Sequence, residues 1–263
     1  MADFLAEAEE VAVEAAKEAG KLILAHFRKI LVIEIKKGNP RNLVTNADKE
    51  SDKLIKRLIS GKFPEHGIVS EESEPTKGEY VWYIDPIDGT TNYSRGVKYF
   101  CVSIALAKDD DLLVAAVYNP ATSELYTAVK GRGAFLNGKK LVVFEPESFD
   151  QAMIYGDLGY ETDEREKALA ILKFLVSGKG LRVKGSGALA MCELAAGHAD
   201  AYVDLSSTSW DYAAAALLVR EAGGTVADFS GKDWSPQVVN GIVAGGSKQL
   251  CGTVLEKVRL VLK

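Results

Sequence analysis

Two aspartates follow directly after a short apolar segment and are separated by only two residues. Asp85 and Asp88 belong to the string Asp-Pro-Ile-Asp-Gly-Thr-Thr-Asn, which begins where the predicted strand Val81–Ile84 ends. Buried carboxylates repel one another and resist ionisation unless a positive charge lies between them. A hard divalent cation with oxygen ligands meets this requirement. The string therefore predicts a metal site, although an isolated Asp-x-x-Asp pair is more often a turn with solvated acids.

The residues after this pair suit a phosphate group. The segment from Asp88 to Asn92 can begin a helical turn, and the N–H groups at a helix start bind phosphate oxygens. Gly89 lets a ligand approach the backbone closely. Thr90 adds a hydroxyl that can hold a nucleophilic water. One short segment is thus predicted to bind both a metal ion and a phosphate.

Two other acidic sites are candidates. Glu71 and Glu72 follow the apolar pair Ile68-Val69, which is a possible strand end. Asp211 follows Trp210 and starts a very apolar helix. There it either caps the helix N-terminus or points into a cleft. Spacing alone leaves both alternatives open.

Periodicity predicts the elements that carry these residues. Amphipathic spacing indicates a helix over residues 3–28, and a second helix starts near Thr45–Asp48. Four strands follow, with a turn at residues 119–120 and a hairpin signal at Asn137-Gly138; they are Val81–Ile84, Phe100–Ala107, Leu112–Tyr118 and Glu124–Val129. Strands and helices then alternate, over residues 152–155, 164–175, 181–183, 188–196, 201–204, 211–222 and 238–244, before a C-terminal helix. We expect an α+β part over residues 1–145 and an α/β part over residues 146–263, packed as layers.

Composition limits the classes of partner and compartment. The 263 residues carry a formal net charge of −5, which argues against nucleic acid or an anionic membrane as the main partner. Three widely separated cysteines favour a reducing compartment. The acidic N-terminal residues do not resemble a secretion signal, and no apolar run has membrane-spanning length. We therefore expect a soluble, cytoplasmic protein.

Several strings together resemble the inositol monophosphatase-like family of metal-dependent phosphatases. They occur in the family's order and cover nearly the whole chain. The specific strings are Ser70–Ser73, Trp82–Asn92, and Trp210–Ala214 continuing through Glu221–Gly224. Weaker matches are Asn42–Asp48, Gly131–Phe135 and Gly197–Tyr202.

The resemblance implies a layered αβαβα sandwich, a homodimer and two to three Mg²⁺ ions per subunit. It implies that Glu71, Asp85 and the Ile87 carbonyl hold one ion. Asp85, Asp88 and Asp211 would hold a second, and Glu71 would help to hold a third. Asp48 and Thr90 match the pair that orients the attacking water, and Gly89 and Thr90 match the phosphate-binding backbone. Lys37 corresponds to a loop lysine near the site.

The implied activity is hydrolysis of a small sugar or polyol phosphate by metal-activated water. Ser186 lies in the segment that matches the family's substrate-recognition region, and Asp204 matches it as well. Asp204 either binds polyol hydroxyls or is a strand-end acid. Arg182 and Lys184 could hold a second phosphate, or they could be ordinary surface charges.

The string from Asn92 to Gly96 resembles the archaeal branch, whose members act on both fructose 1,6-bisphosphate and inositol monophosphate. These two esters are therefore the expected substrates. The alternatives are a strict inositol monophosphatase, a phosphatase of phosphoadenosine nucleotides, and a non-catalytic sensor of metal and phosphate.

Overall fold

Helices and sheets alternate in five layers. The computed structural model describes residues 2–29, 33–206, 208–238 and 240–262, without the side chains of Ala2 and Lys37. The helices are α1 (Ala2–His26), α2 (Asn46–Lys62), α3 (Thr90–Ser94), α4 (Thr162–Leu175), α5 (Gly187–Ala195), α6 (Ser209–Glu221) and α7 (Lys248–Val261). None of the helices in these ranges is both long and apolar enough to cross a membrane.

The first large sheet has seven strands, and its central strands are buried on both faces. In order across the sheet they are β3 (Gly67–Ser70), β4 (Tyr80–Asp88), β5 (Cys101–Lys108), β6 (Asp111–Asn119), β7 (Glu124–Val129), β8 (Gly133–Leu136) and β9 (Lys139–Lys140). β3 runs parallel to β4, and the other pairs are antiparallel. Val102 and Ile104 of β5 pack in the cluster formed with α1 and α2, whereas Cys101 and Ala105 pack in the cluster around α5 and α6. The two-residue period of a strand therefore supplies both faces.

The second large sheet has five strands. Its order is β11 (Gly180–Val183), β10 (Met153–Gly156), β12 (Ala201–Asp204), β14 (Ile242–Gly245) and β13 (Thr225–Ala227). Ile154 and Val203 pack on the side of α4 and α7, whereas Tyr155 and Tyr202 pack on the side of α5 and α6. The predicted αβαβα sandwich is thus confirmed. A separate ribbon pairs β1 (Ile33–Ile35) with β2 (Leu43–Thr45).

Helices α5 and α6 form the middle layer, between the two sheets. The four alanines Ala213–Ala216 of α6 are all buried. A helix that contacts sheets on both sides must be apolar around most of its circumference. Small side chains also allow the sheets to approach closely. This explains why the segment after Asp211 lacks the polar face of a surface helix.

Most predicted elements are confirmed, and the differences have local causes. Asn137 and Gly138 adopt φ angles of 48° and 78°, as the predicted hairpin turn requires. The last strand begins at Ile242 and not at residue 238, because Gly241 has a φ of 95° that interrupts an extended chain; residue 239 lies outside the described residues. The short strands β1, β2 and β13 were not predicted. The division near residue 145 stays a prediction, since one hydrophobic cluster includes residues from both large sheets.

Candidate active site

A bulge in β4 brings the two motif aspartates to the same face of the sheet. Asp85 is opposite Ser103 and Asp88 is opposite Cys101, so β4 contains one more residue than β5 between these pairs. Residues three apart in a regular strand point to opposite faces, and one extra residue corrects this. The Asp85 carboxylate accepts a hydrogen bond from the Ile87 N–H at 2.9 Å. The Pro-Ile dipeptide therefore forms the bulge that aligns the pair.

Asp211 joins this pair from the N-terminal turn of α6. Asp85, Asp88 and Asp211 each have a carboxylate oxygen within 4.8 Å of the others. Of the two alternatives left open for Asp211, the N-cap position does not apply. Thr208 occupies the N-cap position, and its hydroxyl donates a hydrogen bond to Asp211, which lies in the first turn. The helix therefore directs Asp211 towards the two other acids.

Glu71 lies beside the same group. It follows β3, and its N–H donates to the Ile84 carbonyl at 3.2 Å, which holds the end of β3 against β4. The negative charge of Glu71 helps to raise the pKa of all three aspartates. The structure thus brings together the four acidic side chains that the resemblance assigned to metal binding.

The electrostatics of this group fit a hard divalent cation. Burial, followed by the charges of Glu71 and Asp211, holds the pKa of Asp85 well above its ordinary value. Burial and the charge of Glu71 do the same for Asp211. Buried acids with oxygen donors only, held in mutual repulsion, are the environment that Mg²⁺ or a similar ion neutralises.

Asp48 and Thr90 meet next to the bulge. Thr45 is the N-cap of α2, and its N–H and hydroxyl donate to one Asp48 oxygen at 2.8 and 2.5 Å. The Thr90 hydroxyl lies 3.1 Å from the other Asp48 oxygen and 2.9 Å from the Ile87 carbonyl. Burial raises the pKa of Asp48 to about 6, although the hydrogen bonds from Thr45 oppose this shift.

Gly89 and Asn92 join the motif to the segment before α5. Gly89 has a φ of 88°, and a Cβ there would lie 3.0 Å from the Tyr99 carbonyl oxygen. Only glycine fits both the angle and the contact. The Asn92 amide nitrogen lies 2.9, 2.8 and 3.2 Å from the carbonyl oxygens of Tyr99, Lys184 and Gly185. The last residue of the motif thereby fastens the segment that was expected to recognise substrate.

Ser186 has a structural task that the sequence did not indicate. Its hydroxyl donates to an oxygen of Asp88, and the Ala188 N–H donates to the same oxygen at 2.9 Å. Burial raises the pKa of Asp88 to about 6, while these two hydrogen bonds lower it. Ser186 is only 1% exposed, and its hydroxyl is used for the hydrogen bond to Asp88. We therefore assign its side chain to the positioning of Asp88.

The other three predicted substrate residues have different surroundings: Asp204 is buried, Lys184 is in an ion pair and Arg182 is exposed. Asp204 is buried at the end of β12, where it accepts hydrogen bonds from the Tyr212 hydroxyl at 2.5 Å and the Ser206 hydroxyl at 3.2 Å. The Lys184 ammonium group pairs with Glu193 at 2.6 Å. Lys184 is therefore engaged within the protein. Arg182 is exposed on the edge strand β11.

Three residues near the acids were missed. Lys36 pairs with Glu71 and Glu72, while the predicted Lys37 side chain lies outside the described part of the structure. Asp157 follows β10, and its charge helps to raise the pKa of both Asp88 and Asp204. Burial and then the charge of Asp211 raise the pKa of Tyr160. An acid directly after a strand was a usable signal for Asp157.

The loop between β1 and β2 reaches the start of α4. The Asn39 amide donates to the Glu161 carboxylate at 3.0 Å and to the Tyr160 carbonyl at 3.2 Å. Arg41 donates to the same carbonyl at 3.4 Å. A loop of the N-terminal half is thereby connected to the C-terminal half next to the acidic group.

Comparison with known proteins agrees with this geometry. Residues 5–262 match the inositol monophosphatase family. Inositol monophosphatase 2 of Solanum lycopersicum is 38% identical over 239 residues, which cover 86% of this chain and 88% of the relative. Nus factor SuhB of Xylella fastidiosa is 37% identical over 229 residues, covering 85% and 82%. An IMPase structure from Thermotoga maritima superposes with a TM-score of 0.87 at 30% identity, covering 96% of this chain and 97% of that one. The chain belongs to the inositol monophosphatase family.

Proposed function

We propose that the protein is a Mg²⁺-dependent phosphomonoester hydrolase of small polyol and sugar phosphates. The observation that carries this proposal is the convergence of Asp85, Asp88 and Asp211 within 4.8 Å, beside Glu71 and the Asp48–Thr90 pair. A site that only needed to be stable would not hold so many buried acids together, because each is destabilised by its neighbours. The products are inorganic phosphate and the free alcohol.

Glu71, Asp85, the Ile87 carbonyl, Asp88 and Asp211 are the proposed metal ligands. Bound Mg²⁺ would neutralise the phosphate oxygens and lower the pKa of a water molecule. The first N–H groups of α3, at Gly89 and Thr90, are assigned to phosphate oxygens because they have no acceptor within the helix. Binding of two to three ions per subunit is part of the proposal.

Asp48 and Thr90 are assigned to the attacking water. The Thr90 hydroxyl has one proton, and when it donates to Asp48 its lone pairs are free to accept a proton from water. The pair can therefore orient the water and take up its proton at Thr90 Oγ1, with the Thr90 proton passing to Asp48. A pKa of about 6 for Asp48 suits a base that acts near neutral pH.

Inositol 1-phosphate is the first candidate substrate. Asp204 and Asp157 give the region beyond Asp88 a negative charge, which suits neutral hydroxyls better than a second phosphate. Fructose 1,6-bisphosphate is the second candidate. It depends on the exposed Arg182, because Lys184 is already paired with Glu193.

A non-catalytic role is the competing proposal, since some relatives of equal similarity have the name Nus factor SuhB. The test is phosphate release from inositol 1-phosphate, fructose 1,6-bisphosphate and phosphoadenosine phosphate, with Mg²⁺ and with EDTA. Release that EDTA abolishes supports the hydrolase, and the preferred ester identifies its substrate. No release from any ester, with Mg²⁺ binding intact, would favour the non-catalytic role.

Asp88→Asn is the matched variant for this test. The amide oxygen can still accept from Ser186 and Ala188, so the fold should survive, but the ionised ligand is lost. We expect turnover to fall by about 10³-fold. Asp111→Asn, at an exposed hairpin, should retain full activity. Near-normal turnover in Asp88→Asn would contradict the metal assignment.

The homodimer and the cytoplasmic location remain part of the proposal. Light scattering after size-exclusion chromatography distinguishes a dimer from a monomer directly. Fractionation of cells that express the protein tests the location.

A further inference from the structure

A lysine ammonium group lies between two adjacent carboxylates at the edge of the acidic group. Lys36 Nζ is 2.7 Å from an oxygen of Glu71 and also contacts the carboxylate of Glu72. The exposed fraction of the side chain is 17% for Lys36, 20% for Glu71 and 6% for Glu72. The three groups are therefore largely shielded from solvent, unlike an ordinary surface ion pair.

The contacts favour a charged Lys36. Lysine carries a positive charge at neutral pH, and the two carboxylates in contact with its ammonium group stabilise that charge. The lysine is also held from the backbone side, because its N–H donates to the Asn42 carbonyl at 2.8 Å. A permanent positive charge is thus fixed on Glu71, a proposed metal ligand.

We propose that Lys36 is a tethered counter-cation that competes with the divalent ion for Glu71, and that Glu72 retains the lysine when the ion binds. This inference rests on the proposed metal dependence of the site. Glu71 can satisfy either partner, whereas Glu72 offers the lysine a second position without releasing it from the site. Lys36 would then weaken metal binding and stabilise the metal-free protein.

The size of the effect follows from the charges. Even at the dielectric constant of bulk water, a unit charge about 5 Å from a divalent ion weakens its binding by roughly tenfold. Lys36→Met keeps much of the side-chain volume and removes the charge, so the Mg²⁺ dissociation constant should fall by about tenfold. Glu72→Gln should act in the opposite direction, because the lysine then pairs with Glu71 alone and a nearby negative charge is lost.

Mg²⁺ binding to the full chain is measured by isothermal titration calorimetry, and the melting temperature is measured in EDTA and in Mg²⁺. Neither readout depends on turnover. Lys36→Arg tests whether the charge is sufficient. Lys108→Met is the matched control: it breaks an exposed pair with Glu79 at the opposite end of β4, about 16 Å from Asp85.

Tighter Mg²⁺ binding in Lys36→Met, weaker binding in Glu72→Gln and unchanged binding in Lys36→Arg and Lys108→Met would support the proposal. Lys36→Met should also melt at a lower temperature in EDTA and gain more from Mg²⁺. In the Lys36→Met background, Glu72→Gln should have less than half of its effect in the wild type.

Unchanged or weaker binding in Lys36→Met would overturn the proposal while the metal site stands. Should Lys36→Met not fold, Glu72→Gln decides alone, and unchanged or tighter binding in that variant refutes the competition. A wild-type protein that binds no Mg²⁺ would overturn the proposed function itself, and this inference with it.

Discussion

Asn92 offers a direct test of how the motif is fastened to the second half of the chain. Its amide nitrogen is within hydrogen-bonding distance of three carbonyl oxygens, those of Tyr99, Lys184 and Gly185. An amide has two N–H groups, so two full hydrogen bonds are available to three acceptors. Asn92→Ala removes both donors without introducing a charge.

The expected loss can be worked out from these contacts. Each hydrogen bond contributes about 1 kcal/mol net, and each partly buried carbonyl left without a donor costs about 1 kcal/mol or more. Two bonds lost and some access of water to the carbonyls give a decrease of about 3 kcal/mol in the free energy of unfolding. For a chain of 263 residues this corresponds to a fall of about 6 °C in melting temperature.

The segment that Asn92 holds also carries the donors that position Asp88. Its release should therefore lower turnover by about tenfold, because a misplaced ligand reduces catalysis even when it is present. Urea unfolding gives the stability, and phosphate release at saturating Mg²⁺ gives the turnover. Thr91→Ala, at an exposed position in the same short helix, controls for the change in helix propensity.

A loss below about 0.5 kcal/mol in Asn92→Ala, with turnover equal to that of Thr91→Ala, would refute this reasoning. The bridge between the motif and residues 184–185 would then have no energetic importance. A loss of stability without any loss of turnover would separate the two roles and leave only the structural one.

The remaining predictions concern the buried acids and a distant contact. In EDTA the melting temperature should fall as the pH rises above about 4, because the folded pKa values of Asp85, Asp88 and Asp211 are raised above the unfolded value of about 4. Their contribution is present below the unfolded pKa and is lost as the pH passes the folded pKa, so Mg²⁺ should raise the melting temperature more at pH 8 than at pH 5; equal increments would contradict this. Glu221→Gln should lower the free energy of unfolding by about 1–2 kcal/mol, because its carboxylate accepts the N–H groups of residues 131 and 133 at 2.8 Å each. Urea unfolding beside the exposed control Glu147→Gln measures this, and equal stability in the two variants would show that the contact is unimportant.

The layers could be predicted because the signal for them is local. The buried side chains of β5 follow the two-residue period of a strand, and those of α1 follow the period of a helix. The turn residues Asn137 and Gly138 predicted their hairpin correctly. The three-residue strands β1, β2 and β13 have too few positions to show a period. These strands form because a neighbouring segment of backbone pairs with them. The sequence of the segment itself does not indicate that partner.

The candidate site was predictable in its acids and much less so in its surroundings. Asp85 and Asp88 form a recognisable string, but the tasks of Ser186 and Lys184 depend on partners far away in the sequence. The sequence had no signal that singled out Lys36, because its contact with Glu71 depends on how the loop packs and not on a local period.

The bulge in β4 restricts how this protein can change during evolution. Most insertions and deletions are accepted in surface loops, where they do not alter packing. Deletion of Ile87 would instead remove the bulge, the N–H that Asp85 accepts and the carbonyl that the Thr90 hydroxyl contacts, and it would take a buried side chain out of the cluster formed with α1 and α2. The same few residues thus shape the candidate active site and pack in the hydrophobic core. Related sequences can differ in length at the ends of this strand. A change in the number of residues between Asp85 and Asp88 would disrupt both the site and the core.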